Sequence, residues 1–200
     1  MEIQSFVVGP LFTNAYLLVE GGEAALIDPG GTSPELELTL AQVKLRYILL
    51  THGHFDHADY AELFRARTGA PILYHPAEKP TFWALGRTPP PLDQPLNEGD
   101  RLPLGSEELW VWHLPGHSPG SVAFLWEKGK IAWVGDVLFA GSVGRTDLPG
   151  GSWEELSRSL LRLLSLGEEW RILPGHGPAT ALAHERARNP FLRELVHGRA

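Results

Sequence analysis

The sequence predicts a mixed β-sandwich with helices on its outer faces. Apolar runs of strand length recur along the chain, bounded by Gly, Pro and Asp. Helix-period segments fall between the early strands and again after residue 150. No helical segment interrupts the strands of residues 100–135, which argues against a doubly wound sheet.

Residues 3–8, 15–19 and 24–27 read as three short strands in a meander, the second and third joined by Gly21-Gly22. Residues 34–43 carry Leu36, Leu38, Leu40 and Val43 after a capping Ser33, which predicts a helix despite some strand-like alternation. A buried strand over 46–51 follows, and a helix from Asp56 to about Arg67 ends at Gly69. A strand at 71–74 and a weaker helix at 76–85 lead to residues 88–95, whose four prolines predict a loop. Strands are expected at 102–104, 109–114, 122–126 and 131–134, then a helix at 153–166 capped by Ser152 with Glu155 three residues on.

With 200 residues, 43% of them hydrophobic, the chain is long enough for a full core and is expected to form one domain over 1–200. The net charge of −7 and the lack of any Lys/Arg run disfavour a nucleic-acid partner. No stretch approaches the roughly 20 apolar residues of a membrane span, and the first 20 residues lack a signal-peptide pattern, so a cytoplasmic address is expected. The absence of cysteine excludes disulfides, thiolate metal sites and a cysteine nucleophile together.

The chemistry is concentrated in Thr51-His52-Gly53-His54-Phe55-Asp56-His57, where three imidazoles and a carboxylate follow a buried strand. His52 and His54 stand two apart on near-extended backbone, so their side chains point the same way. Four donors on one strand-to-helix turn exceed what one tetrahedral ion with an open position needs, which points to two ions. Three later places repeat a pattern of apolar strand, glycine, then donor: Leu114-Pro115-Gly116-His117, Trp133-Val134-Gly135-Asp136 and Leu173-Pro174-Gly175-His176. If these strands run the same way, His117, Asp136 and His176 emerge at one edge with the first cluster. Five histidines and two aspartates suit two divalent ions with three protein ligands each, and Asp136, with two oxygens, suits the bridge. Imidazole and carboxylate accept zinc, iron and manganese alike. His75, His113, His184 and His197 lack partners in sequence and read as packing, capping or surface residues. The tryptophans at 110, 112, 126 and 133 read as core. Asp28 is either a support for a ligand histidine or a turn former before Pro29.

These motifs resemble the metallo-β-lactamase superfamily, in an order that spans residues 14–180. Within it, Asp136, the stretch Gly144-Arg145-Thr146-Asp147-Leu148-Pro149-Gly150-Gly151 and Asn189-Pro190-Phe191-Leu192 resemble short bacterial relatives of glyoxalase II. The resemblance implies a four-layer αββα sandwich and a binuclear zinc or iron centre. It assigns His52, His54 and His117 to one ion, Asp56, His57 and His176 to the other, and Asp136 to both. Glyoxalase II enzymes append a helical substrate domain, which the 23 residues after Gly177 are too few to form. Arg145 matches the family's basic residue, while Asp147 stands where a tyrosine is usual.

The implied function is hydrolysis of a small-molecule thioester such as an S-acylglutathione. Two cations would lower the pKa of a shared water from 15.7 in bulk to roughly 7, supplying hydroxide without a protein base. Asp56 would orient that nucleophile, and Arg145 would attract a substrate carboxylate or stand solvated. The rival is a persulfide dioxygenase with one iron on His52, His117 and Asp136; hydrolysis of another ester or amide and a non-catalytic metal-binding role stand behind it. Flavodiiron proteins differ in having Glu where His54 stands. A β-lactamase would need export, and a nuclease a basic surface.

Overall fold

The computed structural model of the protein describes residues 1–197, with side chains to residue 196. A first sheet of six strands contains β1 (Glu2–Val8), β2 (Thr13–Glu20), β3 (Glu23–Ile27), β4 (Lys44–Leu49), β5 (Ile72–Tyr74) and β6 (Gln94–Pro95), side by side in that order. Its first two pairings are antiparallel and the remaining three parallel. The second sheet holds β7 (Arg101–Leu104), β8 (Glu107–His113), β9 (Val122–Trp126) and β10 (Ile131–Gly135). A small hairpin of β11 (Leu138–Phe139) and β12 (Ser142–Val143) follows, and β13 (Arg171–Pro174) and β14 (Thr180–Ala181) complete the second sheet in the order β14-β13-β10-β9-β8-β7.

The helices are α1 (Pro34–Leu40), α2 (Phe55–Ala58), α3 (Ala61–Thr68), α4 (Lys79–Ala84), α5 (Trp153–Leu163), α6 (Leu182–Arg188) and α7 (Pro190–His197). None among the described residues is long and apolar enough to cross a membrane.

Successive strand residues face opposite ways, and here both ways are dry. Leu18, Ile27 and Leu49 point into a core between the sheets, against Val111, Phe124 and Trp133. Their neighbours Leu17, Leu26 and Ile48 point outward under Leu36, Phe64 and Phe82 of α1, α3 and α4. On the far side Leu125, Val134 and Ile172 lie under Leu156, Leu160 and Leu192 of α5 and α7. Three cores separate four layers, helix, sheet, sheet, helix, as the sequence predicts. Truncating a side chain such as Phe64, 1% exposed, to Ala is expected to cost about 3–5 kcal/mol.

Ser33 caps α1 through Leu36 N–H at 3.2 Å, and Ser152 caps α5 through Glu155 N–H at 3.3 Å. Several boundaries differ from expectation. Helix α1 stops at Leu40, because the Lys44 N–H pairs with Gly22 O and starts β4 two residues early. Helix α5 stops at Leu163, where Ser165 and Leu166 bond three residues back instead of four. Gln94–Pro95, expected as loop, add an edge strand beside β5.

The expected helix from Asp56 to Arg67 is broken at Asp59–Tyr60 into α2 and α3. The Tyr60 N–H is captured by Pro29 O at 3.0 Å. Gly30 lies so close that a Cβ there would stand 1.3 Å from the Asp56 carbonyl oxygen. The β3–α1 loop therefore takes the place of the next helical turn.

Of the four tryptophans expected in the core, Trp133 is buried between the sheets. Trp110, Trp112 and Trp126 are half-buried, with the guanidiniums of Arg101 and Arg162 over Trp110 and Trp112 at 4.2 and 4.3 Å. His184 is exposed, and the side chain of His197 lies outside those described.

Candidate metal centre

Strand β8 is antiparallel to β9, β9 to β10, and β10 is parallel to β13. Strands β8, β10 and β13 therefore run the same way, and the segments carrying His117, Asp136 and His176 leave one edge together. The first sheet meets them there through Val122 N–H to Thr51 O at 2.8 Å and Asn14 N–H to Gly175 O at 2.7 Å. Thr51 and the cluster after β4 are thus fixed against the second sheet.

Two triads of donors result. His54 Nδ1 stands 3.1 Å from His52 Nε2 and 2.9 Å from His117 Nε2. His176 Nε2 stands 3.0 Å from Asp56 Oδ2 and 3.3 Å from His57 Nε2. Asp136 lies between them: Oδ2 is 3.7 Å from His117 Nε2 and 3.6 Å from His176 Nε2, and Oδ1 is 3.4 Å from His57 Nε2. All seven residues expected to bind metal are therefore brought together. Gly175 is required by this crowding, since a Cβ there would stand 2.2 Å from Asp136 Oδ1.

The outer ring nitrogens explain which atoms face inward. His57 Nδ1–H donates to Asp28 Oδ2 at 2.9 Å. His117 Nδ1–H donates to the Arg145 carbonyl at 2.9 Å, and His176 Nδ1–H to the Leu11 carbonyl at 3.1 Å. Thr51 Oγ1 donates to Asp28 Oδ2 at 2.6 Å and can therefore accept from His52 Nδ1–H at 3.0 Å. Each of these four rings thereby turns its Nε2 toward the centre. His54 is reversed: its Nδ1 faces inward and its buried Nε2 has no partner.

Burial and then His57, His54 and His117 drive His52 well below the usual imidazole range, and burial and then His117 lower His54 to about 4. Burial also opposes charge on His57, but Asp136 and Asp28 overcome it and raise this ring. For Asp136 burial is likewise outweighed, chiefly by His57, and for Asp56 by His176 and His57, so both carboxyls are held low. His52 and His54 are thus held neutral, while Asp56 and Asp136 are held as carboxylates.

The donor set fits two cations. A tetrahedral ion with bonds of about 2.0–2.1 Å places its ligand atoms roughly 3.3 Å apart, close to the spacing within each triad. Three ring nitrogens facing one another cannot all be satisfied by shared protons, and buried Asp136 Oδ1 has no hydrogen-bond partner. Asp28 with His52 and His57 forms a third grouping, but Asp28 already accepts from Thr51 N–H, Thr51 Oγ1 and His57. It supports the centre from behind.

Several participants carried no sequence signal. Thr13 Oγ1 donates to Asp56 Oδ2 at 3.1 Å, and the carbonyls of Leu11 and Arg145 orient rings distant in the chain. The Arg145 side chain is exposed and forms a two-pronged pair with Asp147 at 2.7 and 2.8 Å. His75 and His113 stay out of the centre and stack on each other, ring centroids 4.1 Å apart.

Residues 8–176 match the family model of the metallo-beta-lactamase superfamily. The chain is 37% identical to hydroxyacylglutathione hydrolase GloC of Haemophilus influenzae over 184 residues, covering 84% of this chain and 87% of that protein. The crystal structure of the BLEG-1 B3 metallo-beta-lactamase superposes with a TM-score of 0.88 at 36% identity, over 96% of this chain and 99% of that one. The crystal structure of TTHA1623 in a di-iron-bound form gives 0.83 at 44% identity, over 94% and 100%. With the four-layer architecture and the gathered histidines and aspartates, these matches establish that the chain belongs to the metallo-beta-lactamase superfamily.

Proposed function

We propose that this chain is a binuclear metal-dependent thioester hydrolase acting on small S-acylglutathione-like substrates, with residues 1–200 forming one domain that works in the cytoplasm. His52, His54 and His117 would hold one ion, Asp56, His57 and His176 the other, and Asp136 would bridge. The observation that carries this reading is the position of Asp136 Oδ2, nearly equidistant from His117 Nε2 and His176 Nε2. A mononuclear iron reading gives no reason for the second triad to be assembled. Similarity to GloC supports the thioester class, and similarity to a di-iron-bound protein supports iron beside zinc as occupant, with manganese suited by the same donors.

When bound, a pair of divalent cations supplies a polarising charge for a substrate carbonyl and lowers the pKa of water toward neutrality. The chain's own residues supply the geometry. Asp56, held ionised by His176 and His57 and aligned by Thr13 Oγ1–H, presents a fixed acceptor that orients the attacking nucleophile. Burial of His52, His54, His57 and His117 excludes bulk water from one side. His176, with 28% of its side chain exposed, marks the open side from which substrate approaches. A thiolate leaves more readily than an alkoxide or amine, so the site needs no dedicated acid at the leaving group.

The deciding assay is hydrolysis of S-lactoylglutathione by protein loaded with zinc or iron. Turnover with two metals per chain and no oxygen uptake from glutathione persulfide is expected. No turnover by fully loaded protein would rule out the glutathione substrate.

A further inference from the structure

His52 and His54 arrive from the first sheet after β4, and His117 arrives from the second sheet after β8. Something must hold these two loops at a fixed spacing, because their three nitrogens lie within about one metal coordination sphere of one another. Glu78, in the 3₁₀ turn Pro76–Glu78, is 0% exposed and bonds to both loops. Its Oε2 accepts the Gly53 N–H at 2.7 Å, from the residue between His52 and His54. Its Oε1 accepts the Ser118 Oγ–H at 2.7 Å and the Gly120 N–H at 2.5 Å, from the loop just after His117.

The surroundings are shaped to admit this carboxylate. A Cβ on Gly53 would stand 2.7 Å from Glu78 Oε2, and one on Gly120 would stand 2.8 Å from Glu78 Cγ. All three partners donate, so an acceptor-only group is required; a carboxamide would turn an N–H toward another donor. No bond from Glu78 to Asp56, His57, Asp136 or His176 occurs among the described residues, and that side is braced by Asp28 and Asn14.

We propose that Glu78 is a positioning residue that sets the ion affinity of the His52–His54–His117 triad and leaves the Asp56–His57–His176 triad unaffected. This rests on the two-ion reading above. Removal of an outer partner of this kind lowers metal affinity about 10–100-fold.

The test uses the full chain loaded with zinc, dialysed against graded chelator, with metal per chain measured at each step. Cobalt-substituted protein gives a site-resolved absorption spectrum, and His57→Ala identifies the ion of the other triad. Wild type is expected to hold two ions. Glu78→Gln is expected to release one of them at about tenfold or more lower chelator, to lose the cobalt band that His57→Ala retains, and to melt as wild type does when metal-free. Ser118→Ala removes one donor of the three and is expected to shift the same ion by a smaller factor; it carries the test if Glu78→Gln does not fold. Unshifted release in the variants, or equal loss of both ions, overturns the proposal. A wild-type chain holding one ion overturns the two-ion reading instead, and Glu78→Gln then still decides by whether that ion's affinity falls.

Discussion

Asp28 accepts the Nδ1–H of His57 at 2.9 Å from a position 29 residues earlier in the chain, with both side chains buried. The same carboxylate takes the backbone N–H and hydroxyl of Thr51 at 2.7 and 2.6 Å. One residue thus fixes the end of β4 and the direction of a ring in α2. Asp28 itself sits at φ +52°, a conformation Asp tolerates better than most residues.

Replacing Asp28 with Ala strands three buried donors. The metal-free protein is expected to lose about 3 kcal/mol in denaturant melts, since each unsatisfied buried group costs about 1–3 kcal/mol and the loop relaxes in part. Affinity for the ion at His57 should fall about 10–100-fold, read by chelator competition. Retention of both would mean that Asp28 only shapes the turn.

The sequence leaves Arg145 either to attract a substrate carboxylate or to stand solvated, and the structure engages its guanidinium with Asp147. Both side chains are more than half exposed, so solvent screens the pair and it yields to a competing carboxylate. Arg145→Ala is therefore expected to change kcat/KM for S-lactoylglutathione by about threefold or less, because the backbone carbonyl that orients His117 is retained. Asp147→Asn frees the cation and should lower KM for anionic thioesters by about twofold to fivefold with kcat unchanged. A raised KM in Asp147→Asn would show that Asp147, not Arg145, touches substrate.

The layered fold was legible because buried strands and their turns announce themselves: the neighbours Leu17-Leu18, Leu26-Ile27 and Ile48-Leu49 each serve two cores. The seven candidate donors were legible because each ends a strand beside a glycine or falls within one short motif. The break between α2 and α3 was not, because it depends on Pro29 and Gly30 meeting Asp56 and Tyr60 from a distant loop. Glu78 and Thr13 were silent for the same reason. Their roles come from tertiary contacts to backbone and to Asp56, and neither residue belongs to a recognisable pattern.

His75 offers a pH effect outside the centre. Burial and then the stacked His113 lower this ring from 6.5 to about 4. The folded ring takes its proton only near pH 4, whereas the unfolded ring takes it near 6.5. Its contribution is therefore present above pH 6.5 and is lost as pH falls through 4. The ring is partly exposed, so screening reduces the effect to about 1 kcal/mol. Asn at this position can still cap the 3₁₀ turn through Ala77 N–H, the bond His75 makes at 3.2 Å. In chelator, the difference in melting temperature between wild type and His75→Asn should change across pH 6.5–4 and be flat above it. A difference that is flat throughout would remove His75 as the source.

Metal loading should itself govern stability, because the folded chain alone brings the histidine nitrogens and carboxylate oxygens of each triad within reach of one cation. A ligand bound solely by the folded state adds about 4 kcal/mol at a thousandfold excess over its Kd. For a chain of this length that corresponds to a rise in Tm of about 8–16 °C for one ion, since about 2–4 °C accompanies each kcal/mol. Zinc added to chelator-stripped wild type should produce at least this rise, and in two steps if the triads differ in affinity. Asp136→Ala removes the carboxylate standing between His117 and His176 and should reduce the rise to less than half. If Asp136→Ala instead retained the full shift, the two triads would be binding their ions independently, and the bridge would have no thermodynamic role.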